Sequence, residues 1–123
     1  MIESTIIKEK KRDIYSSFFS ENYSSKFFFK SILHHVISLE IYENNKSQGI
    51  SFELICSNIP KSIGSRSSIQ SILNDALSKD IFLKQKSQDD KRIKNYFLTD
   101  KYSDIINSWI DSEKIQYTKL NGD

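Results

Sequence analysis

The sequence predicts a mainly α-helical protein with a small β-hairpin, of the α+β class, folded as a winged helix-turn-helix. Three observations lead to this prediction. An amphipathic helical pattern follows Ser65, two short segments of strand character follow Asp80, and Thr99 stands where another helix can begin. Two helices joined by a short turn and followed by a hairpin form the winged variant of a motif that commonly binds DNA.

At 123 residues the chain is expected to form a single domain over 1–123. We divide it into an N-terminal dimerisation helix region (1–26), a winged helix-turn-helix (27–99) and a C-terminal dimerisation helix with a tail (100–123). Its 37% hydrophobic and 28% charged residues are typical of a folded globular protein. No apolar run approaches the ~20 residues of a membrane span, and the charges within 1–12 do not suit a signal peptide. We therefore expect a cytoplasmic protein without a membrane partner.

Chemistry-bearing side chains are few. Cys56 is the one cysteine, which excludes an internal disulfide; it is interpreted as a small packed residue, with redox sensing as the alternative. His34 and His35 are adjacent on a predicted helix and point in different directions, so we expect one packed and one exposed, with no metal site. The sequence contains no recognisable catalytic constellation, and no enzyme activity or cofactor is predicted.

The first half of the predicted unit is helical. Apolar residues at helical spacings predict a helix over 27–42, which the polar cluster at 44–49 should end. Ser51 is placed to cap a short helix over 52–59. Pro60 cannot continue that helix, so a turn follows.

The next helix is expected after Gly64. Either Ser65 or Ser67 can open it, and Ser67 with Gln70 also has the spacing of a capping box. Asp80 stands where the helix must stop, and aspartate tolerates a left-handed backbone. The inward stripe of this helix is Ile69, Ile72, Leu73, Ala76 and Leu77.

Strand-forming residues over 81–86 and 93–98 enclose a polar loop at 87–92 and predict the hairpin, or wing. Thr99, followed by Asp100, is expected to open the final helix.

Charge is unevenly distributed along the chain. Residues 1–60 have no net charge, residues 61–94 carry eight Lys/Arg against four Asp/Glu, and residues 95–123 are net negative. A basic excess confined to the helix and wing is expected of a surface that faces phosphates. The competing interpretation is that lysine is simply abundant throughout the chain.

The polar face of the predicted recognition helix supplies the first set of candidate DNA contacts. Short polar side chains and a planar cation near a helix N-terminus suit the reading of base edges. We expect Arg66 to contact DNA, whereas Gln70 and Asn74 are equally well explained as an ordinary solvent face. The full set is Ser65, Arg66, Ser68, Gln70, Ser71 and Asn74.

The wing supplies the second set, because a cation on a hairpin tip can reach a narrow minor groove and lysines beside it can contact phosphates. The alternative is that the tip is charged for solubility and that its charged residues, 89–92, pair with one another. The full set is Lys84, Lys86, Asp90, Lys91, Arg92 and Lys94.

Both ends of the chain carry apolar helix faces outside the winged unit. Either they complete the core of one chain or they bury against a second copy, and we favour a homodimer. The candidate dimerisation residues are Ile7, Ile14, Phe18, Ile106, Trp109 and Ile110.

Over 50–109 the chain resembles the MarR-type winged-helix transcriptional regulators. The matching pieces are the residues 65–69 that open the recognition helix, the residues 77–82 that lead into the wing, and Asp90-Lys91-Arg92 with Leu98-Thr99 six residues on. The resemblance implies that Arg92 enters a DNA minor groove and that Asp90 holds it. It departs from the family at Asp80, where a glycine is usual, and in its shorter length.

The resemblance implies a dimeric, sequence-specific regulator of transcription that binds double-stranded DNA, with any small-molecule effector unknown. Two alternatives stay open: a winged-helix module that binds a protein partner, and a ligand- or redox-responsive sensor. Salt dependence separates the first alternative, because phosphate binding weakens steeply as salt rises.

Overall fold

The computed structural model describes residues 2–19 and 23–120, with side chains over 3–15 and 25–114. Six helices and three strands lie in these ranges. They are α1 (Ile2–Phe19), α2 (Tyr23–Phe28), α3 (Ile32–Asn44), β1 (Ile50–Ser51), α4 (Phe52–Asn58), α5 (Arg66–Ser78), β2 (Phe82–Lys86), β3 (Lys94–Leu98) and α6 (Asp100–Leu120). The predicted fold class is confirmed: α4 and α5 form the helix-turn-helix, and β2 and β3 form the wing.

The helix predicted over 27–42 is wrong in one respect, because the chain turns between α2 and α3. Ser31 adopts an extended backbone and its hydroxyl accepts a hydrogen bond from the His34 N–H at 3.1 Å, so a new helix starts at Ile32. Phe27 and Phe28 are both fully buried at the end of α2. Their apolar pattern runs into that of α3 and hides the break in the sequence.

Serine caps fix the starts of α4 and α5. Ser51 accepts from the Leu54 N–H at 3.2 Å, as predicted. Of the two candidates for α5, Ser65 is the cap and accepts from the Ser68 N–H at 3.2 Å. The Ser67 capping box is not formed, because α5 begins at Arg66 and Ser67 already lies inside its first turn.

The base of the wing is fixed by the left-handed Asp80 and by a hydrogen bond between Thr99 and Ile81. Asp80 has φ 57°, so it adopts the left-handed backbone for which glycine or aspartate is suited. Thr99 precedes α6, but its hydroxyl donates to the Ile81 carbonyl at 3.1 Å and closes the base of the hairpin. The sequence did not predict β1, which pairs antiparallel with β3 and extends the sheet to the order β1-β3-β2.

The core lies between α3, α5, the sheet and α6. The α5 stripe is oriented as predicted, with Ile69, Leu73 and Ala76 buried. Tyr102 of α6 is fully buried and its hydroxyl lies 2.7 Å from the Ser38 hydroxyl of α3. This hydrogen bond attaches α6 to the helix-turn-helix frame.

The two histidines are not divided into one packed and one exposed residue. His34 is buried, with its ring 4.8 Å from that of Phe27. His35 is half-buried, with its Nδ1 atom 3.0 Å from the Phe28 carbonyl and its ring 5.2 Å from Trp109. The expectation of an exposed histidine is therefore wrong, because the turn before α3 folds aromatic rings around both.

The terminal helices α1 and α6 contact each other, with an ion pair from Lys10 to Glu113. Ile7 and Ile14 are exposed by 56% and 40%, whereas Ile106 has no exposed surface and belongs to the core of the single chain. Trp109 and Ile110 are partly buried against that core. The side chain of Phe18 lies outside the described residues.

Candidate nucleic-acid interface

The recognition helix α5 begins with a fixed guanidinium. The Arg66 Nη1 atom donates to Glu53 Oε2 at 2.8 Å, and Nη2 donates to Glu53 Oε1 in a parallel hydrogen bond. The guanidinium carbon also lies 4.8 Å from the centre of the Phe52 ring. Both charged side chains stay open to solvent, with Arg66 exposed by 58% and Glu53 by 71%. Arg66 is therefore oriented by α4 and still accessible.

This pair stays ionised over the physiological range. Hydrogen bonding from Arg66 lowers the pKa of the Glu53 carboxyl, and the same hydrogen bonds raise the pKa of the Arg66 guanidinium. Each partner favours the charged form of the other, as expected for a charge-assisted pair.

The other predicted residues of α5 lie around the same helix end. The structure gives most of them an exposed position and leaves Gln70 half-buried, with its amide donating to Asn74 Oδ1 at 3.0 Å. The Ser65 hydroxyl is occupied as the helix cap and by the Ser68 hydroxyl at 3.0 Å. The exposed members are Ser65, Arg66, Ser68, Ser71 and Asn74.

A second fixed guanidinium stands at the wing tip. Asp90 Oδ1 accepts from the Arg92 backbone N–H at 3.0 Å and from Nε at 3.1 Å, while Oδ2 accepts from Nη2 at 3.0 Å. These bonds lower the pKa of the Asp90 carboxyl. The Arg92 side chain is nevertheless 90% exposed. Of the charged tip residues, Asp90 and Arg92 pair, and this pairing holds the arginine outward.

One face of the hairpin changes character along its length. Phe82 and Leu98 lie opposite each other at the buried base, whereas Lys86 and Lys94 lie opposite each other at the exposed tip. Between them, the Lys84 ammonium lies 5.3 Å from the centre of the Tyr96 ring. Like charges directly opposite each other across a strand pair are unfavourable. Lys91 is also exposed, in the turn beyond.

Glu53 and Phe52 are the site residues that the sequence did not reveal. By its position in the sequence, Glu53 is only an acidic residue in the first turn of α4, where it suits the helix dipole. Its partner is thirteen residues away on the next helix. The one available signal was the acid in a helix that directly precedes the arginine-bearing one.

A separate cavity of about 360 Å³ lies between α1, the α2–α3 turn and α6. Its apolar wall includes Ile14, Phe29 and Trp109, and its rim carries Lys10 and Glu113.

Cys56 is half-buried beside the core, and burial raises the pKa of its thiol. Within the part of the chain that the structure describes, no group of His, Cys, Asp or Glu is arranged to hold a metal ion. None of the helices described is both long and apolar enough to cross a membrane.

No protein-family model and no curated protein matches the chain. Solved structures do. Staphylococcus aureus MepR bound to ethidium bromide superimposes with a TM-score of 0.68 at 14% identity, covering 95% of this chain and 76% of that one. Streptococcus pneumoniae FabT in complex with DNA gives 0.60 at 16% identity, covering 98% and 78%. A MepR mutant bound to an oligodeoxyribonucleotide gives 0.54 at 13% identity, covering 98% and 83%. The fold is therefore that of the MarR-type winged-helix regulators.

Proposed function

We propose that this protein is a sequence-specific transcriptional regulator that binds double-stranded DNA in the cytoplasm. The observation that carries the proposal is the wing tip, where Asp90 holds Arg92 by three hydrogen bonds while the guanidinium stays 90% exposed. An outward arginine on a hairpin suits the concentrated negative potential of a narrow minor groove. The DNA complexes of the similar FabT and MepR structures support the same role.

In this proposal α5 enters the major groove by its N-terminal end. Arg66 and the short polar side chains beside it contact base edges and phosphates there. The lysines of the wing add phosphate contacts, which give affinity without sequence choice.

The proposed active form is a homodimer. Ile7, Ile14 and Tyr15 of α1 are exposed apolar side chains that a second copy would cover. Two α5 helices would then reach half-sites separated by about 10 bp, which predicts a pseudo-palindromic operator. Trp109 and Ile110, together with Phe18, remain candidate contacts, whereas Ile106 has no surface to contribute in this conformation.

The test starts with duplexes that the wild-type protein enriches from a random library. Binding to these duplexes is then measured by electrophoretic shift and footprinting. Arg92→Ala should weaken binding by on the order of tenfold, because a groove-inserted arginine is lost. Arg12→Ala is the matched control, since it removes the same charge from the exposed surface of α1. No enriched duplex, or equal losses for the two variants, would contradict the proposal.

The cavity favours a second function beside the first, that of a ligand-responsive regulator. Its volume suits a small aromatic molecule and Trp109, the single tryptophan of the chain, lines it. Titration of phenolic compounds should therefore quench tryptophan fluorescence and change DNA affinity together. Quenching without a change in DNA affinity would contradict the regulatory role.

A further inference from the structure

The cluster of Glu53, Phe52 and Arg66 at the junction of α4 and α5 points beyond the general DNA-binding role. Two parallel hydrogen bonds fix the guanidinium in the plane of the Glu53 carboxylate, and the Phe52 ring lies beside it. This geometry needs arginine, because lysine has neither the planar fork nor the same stacking ability. Among the residues that the structure describes, Arg66–Glu53 is the one ion pair that joins the two helices of the helix-turn-helix.

The pairing leaves Arg66 with a defined set of free donors. Arginine has five N–H groups, and Glu53 takes one from each terminal nitrogen. Within the described residues no hydrogen bond takes the Nε–H or the adjacent outer N–H, and this edge can pair with two acceptors of a guanine or a phosphate. The carboxylate meanwhile cancels most of the charge that would attract an arbitrary phosphate.

We propose that Glu53 is the positioning residue of Arg66 and sets the sequence selectivity of DNA binding. It holds the guanidinium in one orientation for base contact and makes its attraction to non-cognate phosphates weaker. The inference rests on the proposed function, since it concerns how the same surface discriminates among duplexes.

A purely structural role accounts poorly for the cluster. Both charged side chains are more than half exposed, and ion pairs in such positions contribute little to stability because water and salt screen them. The caps of α4 and α5 and the buried side chains of Ile55 and Ile69 already fix the two helices. A selectivity role needs exposure, and the pair has it.

The test compares wild type with Glu53→Gln on two duplexes, one selected from a random library by the wild-type protein and one scrambled. Affinities are measured at 50 and 200 mM salt. The variant should bind the scrambled duplex several-fold more tightly at 50 mM, and its ratio of selected to scrambled affinity should fall. In Glu53→Gln, Arg66 is free to contact one more phosphate. The loss of affinity between 50 and 200 mM salt should therefore be about 3.5-fold larger than the loss for the wild type.

Glu43→Gln is the matched control, because it removes one exposed carboxylate from α3 and so has the same effect on net charge. It should leave the selectivity ratio unchanged. Glu53→Asp keeps the negative charge but shortens the side chain, so it should keep only part of the wild-type selectivity ratio. If charge alone set the selectivity, Glu53→Asp would keep the full wild-type ratio. Thermal unfolding of each variant verifies that the fold is intact.

The double variant decides whether Glu53 acts through Arg66. In an Arg66→Ala background, Glu53→Gln should change the ratio and the salt dependence no more than Glu43→Gln does. A continued loss of selectivity in that background would overturn the inference, as would equal ratios for Glu53→Gln and Glu43→Gln in otherwise wild-type protein. If the wild type binds no duplex, both the proposed function and this inference fail; if it binds and only the ratios are unchanged, the inference alone fails.

Discussion

Arg66 and Arg92 are both held by a carboxylate, yet the two pairs are built differently. Arg92 bonds to Asp90, two residues away in the same turn. Arg66 bonds to Glu53, thirteen residues away on another helix. The wing tip therefore carries its own support, whereas the recognition helix depends on the packing of α4 against α5. Local support tolerates damage elsewhere in the fold, and tertiary support does not.

The largest effect is expected from a change that loosens the packing of α5, on which the position of Arg66 depends. Leu73 is fully buried, so Leu73→Ala should lower the free energy of unfolding by about 2–5 kcal/mol through lost apolar contact and a residual cavity. Urea unfolding followed by far-ultraviolet circular dichroism measures this loss. Ser71→Ala, on the exposed face of the same helix, should change it by less than about 0.5 kcal/mol. A loss below about 1 kcal/mol for Leu73→Ala would contradict the packing described.

A change at Gly49, where the chain passes beside β3, should act on the wing side of the comparison. Gly49 has φ 74°, and an added Cβ would lie 2.8 Å from the Tyr96 carbonyl oxygen and 2.7 Å from the Phe97 ring. Gly49→Ala should therefore cost about 1 kcal/mol or more of stability, from backbone strain and from displacement of β3. Thermal unfolding measures it, and a wild-type melting temperature would show that this close approach does not occur.

The facing lysines of the hairpin sharpen the comparison, because they predict opposite effects on stability and on binding. Lys86→Thr removes a like charge opposite Lys94 and should stabilise the protein by about 0.2–1 kcal/mol. The same change should weaken DNA binding and reduce its salt dependence, because one phosphate contact is lost. Lys101→Thr at the exposed start of α6 is the control and should do neither. Parallel changes in stability and affinity would contradict the assignment.

Acid should affect the helical side of the molecule before the wing. Burial, together with Lys30, lowers the pKa of His34, while Asp75 opposes this shift. The unfolded chain gains a proton near pH 6.5 and the folded chain only below it, so stability is lost as the pH falls from about 6.5 through the lower folded value. Thermal unfolding between pH 7.5 and 5 checks this, and His34→Gln should flatten the profile.

The Asp90–Arg92 pair should not respond over that range. Its carboxyl has a lowered pKa, so the stabilisation it provides is present above about pH 4 and is lost only as the pH falls further. A loss of the Arg92 contribution to DNA binding between pH 7.5 and 5 would contradict this assignment.

The same contrast explains what the sequence could predict. The left-handed Asp80, the Ser51 cap and the contact of Arg92 with Asp90 involve residues close in the chain, where local patterns are informative. The pairing of β1 with β3 brings Ile50 to Tyr96 and depends on the whole fold. Glu53 belongs to this second kind, since its partner is chosen by helix packing.

The boundary between α2 and α3 is an intermediate case. Ser31 is a local capping signal, but it stands inside a long apolar run because Phe27 and Phe28 already belong to the core. Periodicity alone therefore extends one helix across the turn. The wing and the recognition helix are recovered from the sequence, whereas the contacts that orient Arg66 require the tertiary structure.

The buried hydrogen bond between Tyr102 and Ser38 restricts how the terminal helix α6 can move relative to α3. Ser38 also donates to the His34 carbonyl at 2.8 Å, so the hydroxyl pair is anchored to the backbone of α3. α6 cannot swing freely about its first turn, because tilting it must either break this bond in a dry interior or carry α3 along. The 21-residue α6 is thus tied to α3 in its first turn by Tyr102, and one turn further on the buried Ile106 joins it to the same core.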